Sequence, residues 1–120
     1  MKILVIDDSK FMRKTLALKL RKTGIKVFQA EDGEKGLEMA GKIKPHMILL
    51  DLLMPGMNGF VACEKLRKIE GLENVPIIMV TVKSDEDSVK KAIEVGATDY
   101  LVKPVNFQEL FKKIDKYLVV

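Results

Sequence analysis

Ile3-Leu4-Val5-Ile6 runs directly into Asp7-Asp8, and the same design recurs three times along the chain. Met47-Ile48-Leu49-Leu50 runs into Asp51, Ile77-Ile78-Met79-Val80 into Thr81, and Tyr100-Leu101-Val102 into Lys103. Short runs that are apolar at every position read as strands buried on both faces, the pattern of a parallel sheet. An open parallel sheet binds its ligands in the crevice beyond the carboxyl ends of its strands. Three carboxylates, one hydroxyl and one ammonium are therefore expected in one cleft. Clustered carboxylate oxygens suit a hard cation such as Mg2+, which keeps some of its water and pairs with phosphoryl oxygens, and a free carboxylate can act as a nucleophile. The pattern predicts phosphoryl transfer onto an aspartate.

Between these runs the sequence alternates with helical patterns. After the first strand, Asp8 or Ser9 is placed to cap a helix reaching about Arg21, with Met12, Leu16 and Leu20 on one face and Gly24 as its stop. Residues 25–30 read as a second strand, and Gly33 to Lys42 as a short helix with Leu37 and Ala40 turned inward, ended by Pro45. Met54-Pro55-Gly56-Met57-Asn58-Gly59 is a turn-rich loop, and a third helix is expected over Phe60 to Ile69. Ser84-Asp85-Glu86-Asp87 starts a fourth helix with acids where the helix dipole favours them, and Gly96 stops it. Residues 98–102 form the fifth strand. Phe107, Leu110, Phe111, Ile114, Tyr117 and Leu118 mark a final helix expected to run to the chain's end. Five strands alternating with five helices predict a doubly wound, three-layer α/β domain with a five-stranded parallel sheet.

The bulk properties narrow the function classes. A chain of 120 residues fits one domain spanning residues 1–120, and 48% hydrophobic with 32% charged residues is ordinary for a water-soluble protein. No apolar stretch approaches the roughly 18 residues needed to cross a bilayer, so a cytoplasmic location without membrane contact is expected. With no output segment in the sequence, any effect is expected to fall on a separate molecule. The single cysteine, Cys63, lies on the apolar side of the third helix with Phe60, Leu66 and Ile69, and reads as a buried, inert thiol. The net charge of +4 is uneven: Lys10, Arg13, Lys14, Lys19, Arg21, Lys22 and Lys26 fall between Ser9 and Ala30 with no acid among them. Such a block reads either as a solvated helix face or as a surface that steers an acidic partner. Nucleic acid is not expected as a partner, because the block lacks interleaved aromatics.

Taken together, these residues resemble the receiver domain of two-component response regulators. The resemblance rests on Asp7-Asp8, on Asp51-Leu52-Leu53-Met54-Pro55 with Asn58-Gly59, on Thr81 and on Lys103-Pro104, and it covers the whole chain in the right order. It implies the flavodoxin-like strand order 2-1-3-4-5, as in single-domain chemotaxis regulators. It also implies that Asp51 accepts the phosphoryl group from the phosphohistidine of a sensor histidine kinase or of a histidine phosphotransfer protein, or from a small donor, to form an acyl phosphate. Asp7, Asp8, Asp51 and the Leu53 carbonyl would hold Mg2+, Lys103 would pair with a phosphoryl oxygen, and Thr81 would hydrogen-bond another. Tyr100 matches the aromatic that moves inward as the threonine is drawn to phosphate, and Pro104 the family's cis-proline. Such a protein catalyses only its own phosphorylation and dephosphorylation.

Each residue alone has a plainer explanation. An Asp-Asp pair at a strand end is often a helix cap, Asp51 could be an Asx-turn residue, Thr81 a satisfied hydroxyl and Lys103 a snorkelling surface cation. His46, the sole histidine, falls at the start of the third strand, away from the cleft, and reads as a surface or packing residue. Val82 stands where the family usually has a small residue, and Leu53 with Lys83 flanks the expected water path. These departures bear on transfer rate and phosphoryl lifetime. The leading expectation is a stand-alone receiver that switches affinity for a downstream protein. The alternatives are a phosphorelay carrier passing phosphate to a histidine phosphotransfer protein, and a receiver-like binding module that needs no phosphate. A phosphatase acting on small substrates fits less well, since no second carboxylate follows Asp51 closely enough to serve as general acid.

Overall fold

The computed structural model describes residues 1–118. Its elements alternate without exception: β1 (Lys2–Ile6), α1 (Lys10–Arg21), β2 (Lys26–Ala30), α2 (Gly33–Ile43), β3 (Met47–Leu50), α3 (Gly59–Arg67), β4 (Ile77–Thr81), α4 (Glu86–Glu94), β5 (Asp99–Val102) and α5 (Phe107–Tyr117). The strands form one parallel sheet in the order β2-β1-β3-β4-β5, so the flavodoxin-like arrangement implied by the resemblance is the one found.

Because side chains alternate across a strand, each apolar run feeds two cores. Ile3, Val5, Leu49, Ile78, Val80 and Leu101 pack against Leu16, Ala17 and Leu20 of α1 and Leu110 and Ile114 of α5. Leu4, Ile6, Ile48, Leu50 and Met79 pack on the other side against Ala40 of α2, Ala62, Cys63 and Leu66 of α3, and Ala92 of α4. A sheet covered on both faces leaves its strand ends open. That geometry explains why the polar residue after each run sits at a rim.

Local chemistry ends each helix where the sequence suggests, with small adjustments. Ser9, not Asp8, caps α1, its hydroxyl accepting from the Met12 N–H at 3.2 Å, which frees Asp8 from a capping role. Asp32, Asn58, Asp85 and Asn106 cap the other helices in the same way. The third helix begins one residue earlier and ends two earlier than expected, at Gly59 and Arg67. Thr81 belongs to β4 itself rather than to the loop after it. The last helix ends at Tyr117, and residues 119–120 lie outside the described residues. Among the described residues no helix is long and apolar enough to cross a membrane.

Two arginines of the basic block donate to backbone carbonyls. Arg21 donates from Nη2 to the Val27 carbonyl at 2.9 Å, blunting the free edge of β2, and Arg13 donates from Nη1 to the Asp7 carbonyl at 2.7 Å.

Candidate phosphoryl-acceptor site

Three backbone hydrogen bonds continue the sheet one residue past its strands and fix the site. The Asp7 N–H donates to the Ala30 carbonyl at 3.1 Å, Asp51 N–H to the Ile6 carbonyl at 3.0 Å, and Lys103 N–H to the Thr81 carbonyl at 2.8 Å. The residues that follow the apolar runs of β1, β3 and β5 are thereby held at one rim. Lys103 reaches inward from a cis Lys103–Pro104 peptide. Its Nζ lies 2.8 Å from Asp7 Oδ2 and 3.2 Å from Asp51 Oδ2. The opposite oxygens are also held: Asp7 Oδ1 accepts from the Ser9 N–H at 2.9 Å and Asp51 Oδ1 from the Leu53 N–H at 3.2 Å.

Asp7 and Asp51 are buried at 2% and 5% exposure, whereas Asp8 faces solvent. One carboxylate oxygen from each of Asp7, Asp8 and Asp51 lies within 4.8 Å of the others. Three carboxylates against one ammonium leave the cluster two negative charges in excess. Burial raises the Asp7 carboxyl above the ordinary value. The hydrogen bonds from Lys103 and Ser9 pull it back only in part, and the Asp51 charge pushes it further up. For Lys103, burial works to lower the pKa, but the hydrogen bond to Asp7 and the charges of Asp51 and Asp7 outweigh it, so the ammonium is held more firmly than usual. A hard, oxygen-preferring divalent cation fits this donor set: three convergent carboxylates, one open to water, and no sulfur or imidazole.

Thr81 is fully buried at the end of β4, two residues beyond Met79, which is in register with Leu50 of β3. Its Oγ1 has only a long contact, 3.5 Å, from the Lys83 N–H. Tyr100 lies on β5 beside Met79, half-buried, and its hydroxyl donates to the Lys83 carbonyl at 2.6 Å. Burial raises its phenol pKa. Leu53 and Val82 are exposed at 47% and 60%, and Lys83 pairs loosely with Asp85 at 3.6 Å. His46 lies at the other end of the sheet, its Nδ1 accepting from the Lys2 N–H at 3.0 Å, a strand-end contact. Burial of Cys63 pushes its thiol up to about 11, consistent with an inert core residue.

Two contacts beside the carboxylates, those of Gly59 and Arg13, were not read from the sequence. Gly59 passes so close to the acceptor loop that a Cβ there would lie 2.3 Å from the Asp51 carbonyl oxygen and 2.7 Å from Leu52 Cα. The Asn58-Gly59 turn signal marked the position without revealing that contact. Arg13 stood in a run of seven cations, and nothing in spacing distinguished it from its neighbours.

The comparisons agree with this geometry. Residues 3–115 match the response regulator receiver domain. The protein PilH of Pseudomonas aeruginosa is 39% identical over 117 residues, which are 98% of this chain and 97% of that protein. A probable transcriptional regulator, ycf27, of Porphyridium aerugineum is 41% identical over 98% of this chain but only 48% of its own length. The chain spans about half the length of several other curated relatives that it matches. Among solved structures, the Vibrio cholerae chemotaxis protein CheY4 superposes with a TM-score of 0.93 at 33% identity, covering 98% of both chains. The chain belongs to the response regulator receiver family of two-component signalling systems.

Proposed function

We propose that the chain is a stand-alone, cytoplasmic receiver that takes a phosphoryl group onto Asp51 in a Mg2+-dependent reaction and thereby changes its affinity for a partner protein. The observation that carries this reading is the buried Asp51 carboxylate, fixed through both oxygens by the Leu53 N–H and the Lys103 ammonium, inside a group of three convergent acids. A carboxylate oxygen of Asp51 would attack phosphorus in line. The new P–O bond forms as the P–N bond to a kinase imidazole breaks, and the departing nitrogen keeps the electron pair. Mg2+, held by Asp7, Asp8, Asp51 and the Leu53 carbonyl, would supply the positive charge that makes two anions tolerable at one point. Lys103 is placed to follow the charge from carboxylate to phosphoryl oxygen. Thr81, with its hydroxyl only weakly engaged, is free to bond another oxygen. Acceptor and supporting groups belong to the same chain, so the proposed reaction modifies the chain itself.

A histidine kinase or a histidine phosphotransfer protein is the proposed protein donor, and a small phosphoryl donor suits the same chemistry. A second reading, phosphorelay to another histidine protein, draws on the outer face of α1, where Phe11 and Leu18 stand 77% and 60% exposed among the lysines. Incubation with Mg2+ and acetyl phosphate, followed by intact mass measurement, is expected to show one added phosphoryl group that is absent in Asp51→Asn. No adduct from small donors or from any kinase would refute the proposal. Transfer onward to a histidine protein faster than hydrolysis would select the relay reading.

A further inference from the structure

We propose that Arg13 is a positioning residue of the acidic pocket: its guanidinium fixes the Asp7–Asp8 peptide so that both carboxylates face the cleft. The inference rests on the reading of that pocket as a divalent-cation site. Asp7 is restrained at each of its polar atoms. Its N–H is bonded to Ala30, its two carboxylate oxygens to Ser9 and Lys103, and its carbonyl oxygen accepts from Arg13 Nη1 at 2.7 Å. Asp8 is the exposed member of the three-acid group. Because the peptide unit is planar, holding the Asp7 carbonyl also sets the Asp8 N–H and the direction in which the Asp8 Cα leaves. The fork of Arg13 therefore orients a carboxylate it does not touch. It does so from the first turns of α1, where its own N–H is tied to the Ser9 carbonyl at 3.0 Å. A guanidinium suits this task because its donors are planar and directional and it keeps its proton throughout.

The sign of the effect separates positioning from simple charge. Removing a cation from beside a cation site should strengthen Mg2+ binding by Coulomb's law. Loss of a group that orients a metal ligand should weaken it, by roughly 10–100-fold in comparable sites. Isothermal titration of Mg2+ into the metal-free chain distinguishes the two. Arg13→Met is expected to bind about tenfold more weakly than the parent, near the lower end of that range. Arg13→Lys should recover part of the loss, since it keeps the charge and one donor. Lys14→Met, which removes an exposed charge from the same helix, should bind as well as the parent or slightly better. Circular dichroism establishes that each variant is folded, and Arg13→Gln, too short to reach the carbonyl, carries the same expectation if the methionine variant is not.

Binding by Arg13→Met equal to or tighter than the parent overturns the inference, as does an equal loss in Lys14→Met. A parent titration without heat, or one unchanged in Asp8→Asn, removes the cation-site reading and the inference with it.

Discussion

The ammonium of Lys103 lies closer to Asp7, at 2.8 Å, than to Asp51, at 3.2 Å, so one cation serves two buried acids at once. Removing one partner of a buried ion pair generally costs about 3–5 kcal/mol. Here Asp8 opens the cluster to water, so Lys103→Met is expected to lose somewhat less, about 2–3 kcal/mol, in metal-free urea unfolding. Added Mg2+ should restore more stability to this variant than to the parent, because the metal then neutralises charge that no ammonium covers. An equal Mg2+ increment in the two proteins would show that Lys103 and the metal do not answer to the same carboxylates.

Asp7 should make the metal-free protein less stable as pH rises. Its folded pKa lies above the unfolded value of 3.8, so between the two the folded state holds more protons and folding is favoured at the acid end. That stability is complete below the unfolded pKa and is lost as pH climbs through the folded one. Asp99 has the opposite sign. Burial works against its charged form, but the hydrogen bonds from the Tyr100 N–H, Tyr117 and Lys113 prevail and lower its pKa. Its contribution is present above 3.8 and vanishes as pH falls through the depressed value. In chelator-treated samples Asp7→Asn should be more stable than the parent at neutral pH, and Asp99→Asn less so. Equal stability of Asp7→Asn and parent across pH 3–8 would contradict the burial argument.

Gly59 is required by contact rather than by conformation. A methyl group there would meet backbone atoms of Asp51 and Leu52, which cannot rotate away, so the loop carrying the acceptor must move. Gly59→Ala is expected to cost about 2–3 kcal/mol, as overpacking does, and to slow phosphorylation of Asp51 as well. Gly41 is the contrasting case. It lies exposed within α2 with nothing within 4 Å of an added Cβ, so Gly41→Ala should stabilise by about 0.5–1 kcal/mol and leave phosphorylation untouched. Thermal unfolding alongside mass measurement of the adduct checks both.

How much of this was readable before any coordinates follows from what periodicity encodes. Runs such as Ile3–Ile6 and Met47–Leu50 announce strands covered on both faces, and the residue following each run must then emerge at the sheet's carboxyl rim. For that reason Asp7, Asp51, Thr81 and Lys103 were identifiable as a group. Contacts that depend on how side chains fold back were not. Arg13 and Arg21 look like any other cation of a basic helix, yet both end on carbonyls, whereas Lys14 stays in water. The choice of Ser9 over Asp8 as the α1 cap was open for the same reason. Both residue types cap well, and only the geometry at the strand end shows which of them is left to face the cleft.

Arg67 supplies the last expectation, because it holds the sheet together at the end opposite the site. From the last turn of α3 its Nε and Nη2 donate to the Gly96 carbonyl at 2.9 and 2.7 Å. Nη1 donates to the Leu72 carbonyl at 3.0 Å and also to the Val75 carbonyl, and Nη2 reaches Thr98 Oγ1 at 3.2 Å. One side chain thus closes the turns that lead into β4 and β5. Methionine at this position would fill similar space and satisfy none of those acceptors. Each partly buried acceptor left without a partner costs about 1–3 kcal/mol, less where water can enter. Arg67→Met is therefore expected to lose about 3 kcal/mol, and Arg67→Lys to recover at most one bond's share of that. Since these contacts lie at the amino ends of the strands, Mg2+ affinity and the extent of Asp51 phosphorylation should remain those of the parent at temperatures where the variant is folded. A fall in Mg2+ affinity in folded Arg67→Met would mean that the two ends of the sheet are coupled, and that the rim carrying Asp51 is not held independently by its own strand-end hydrogen bonds.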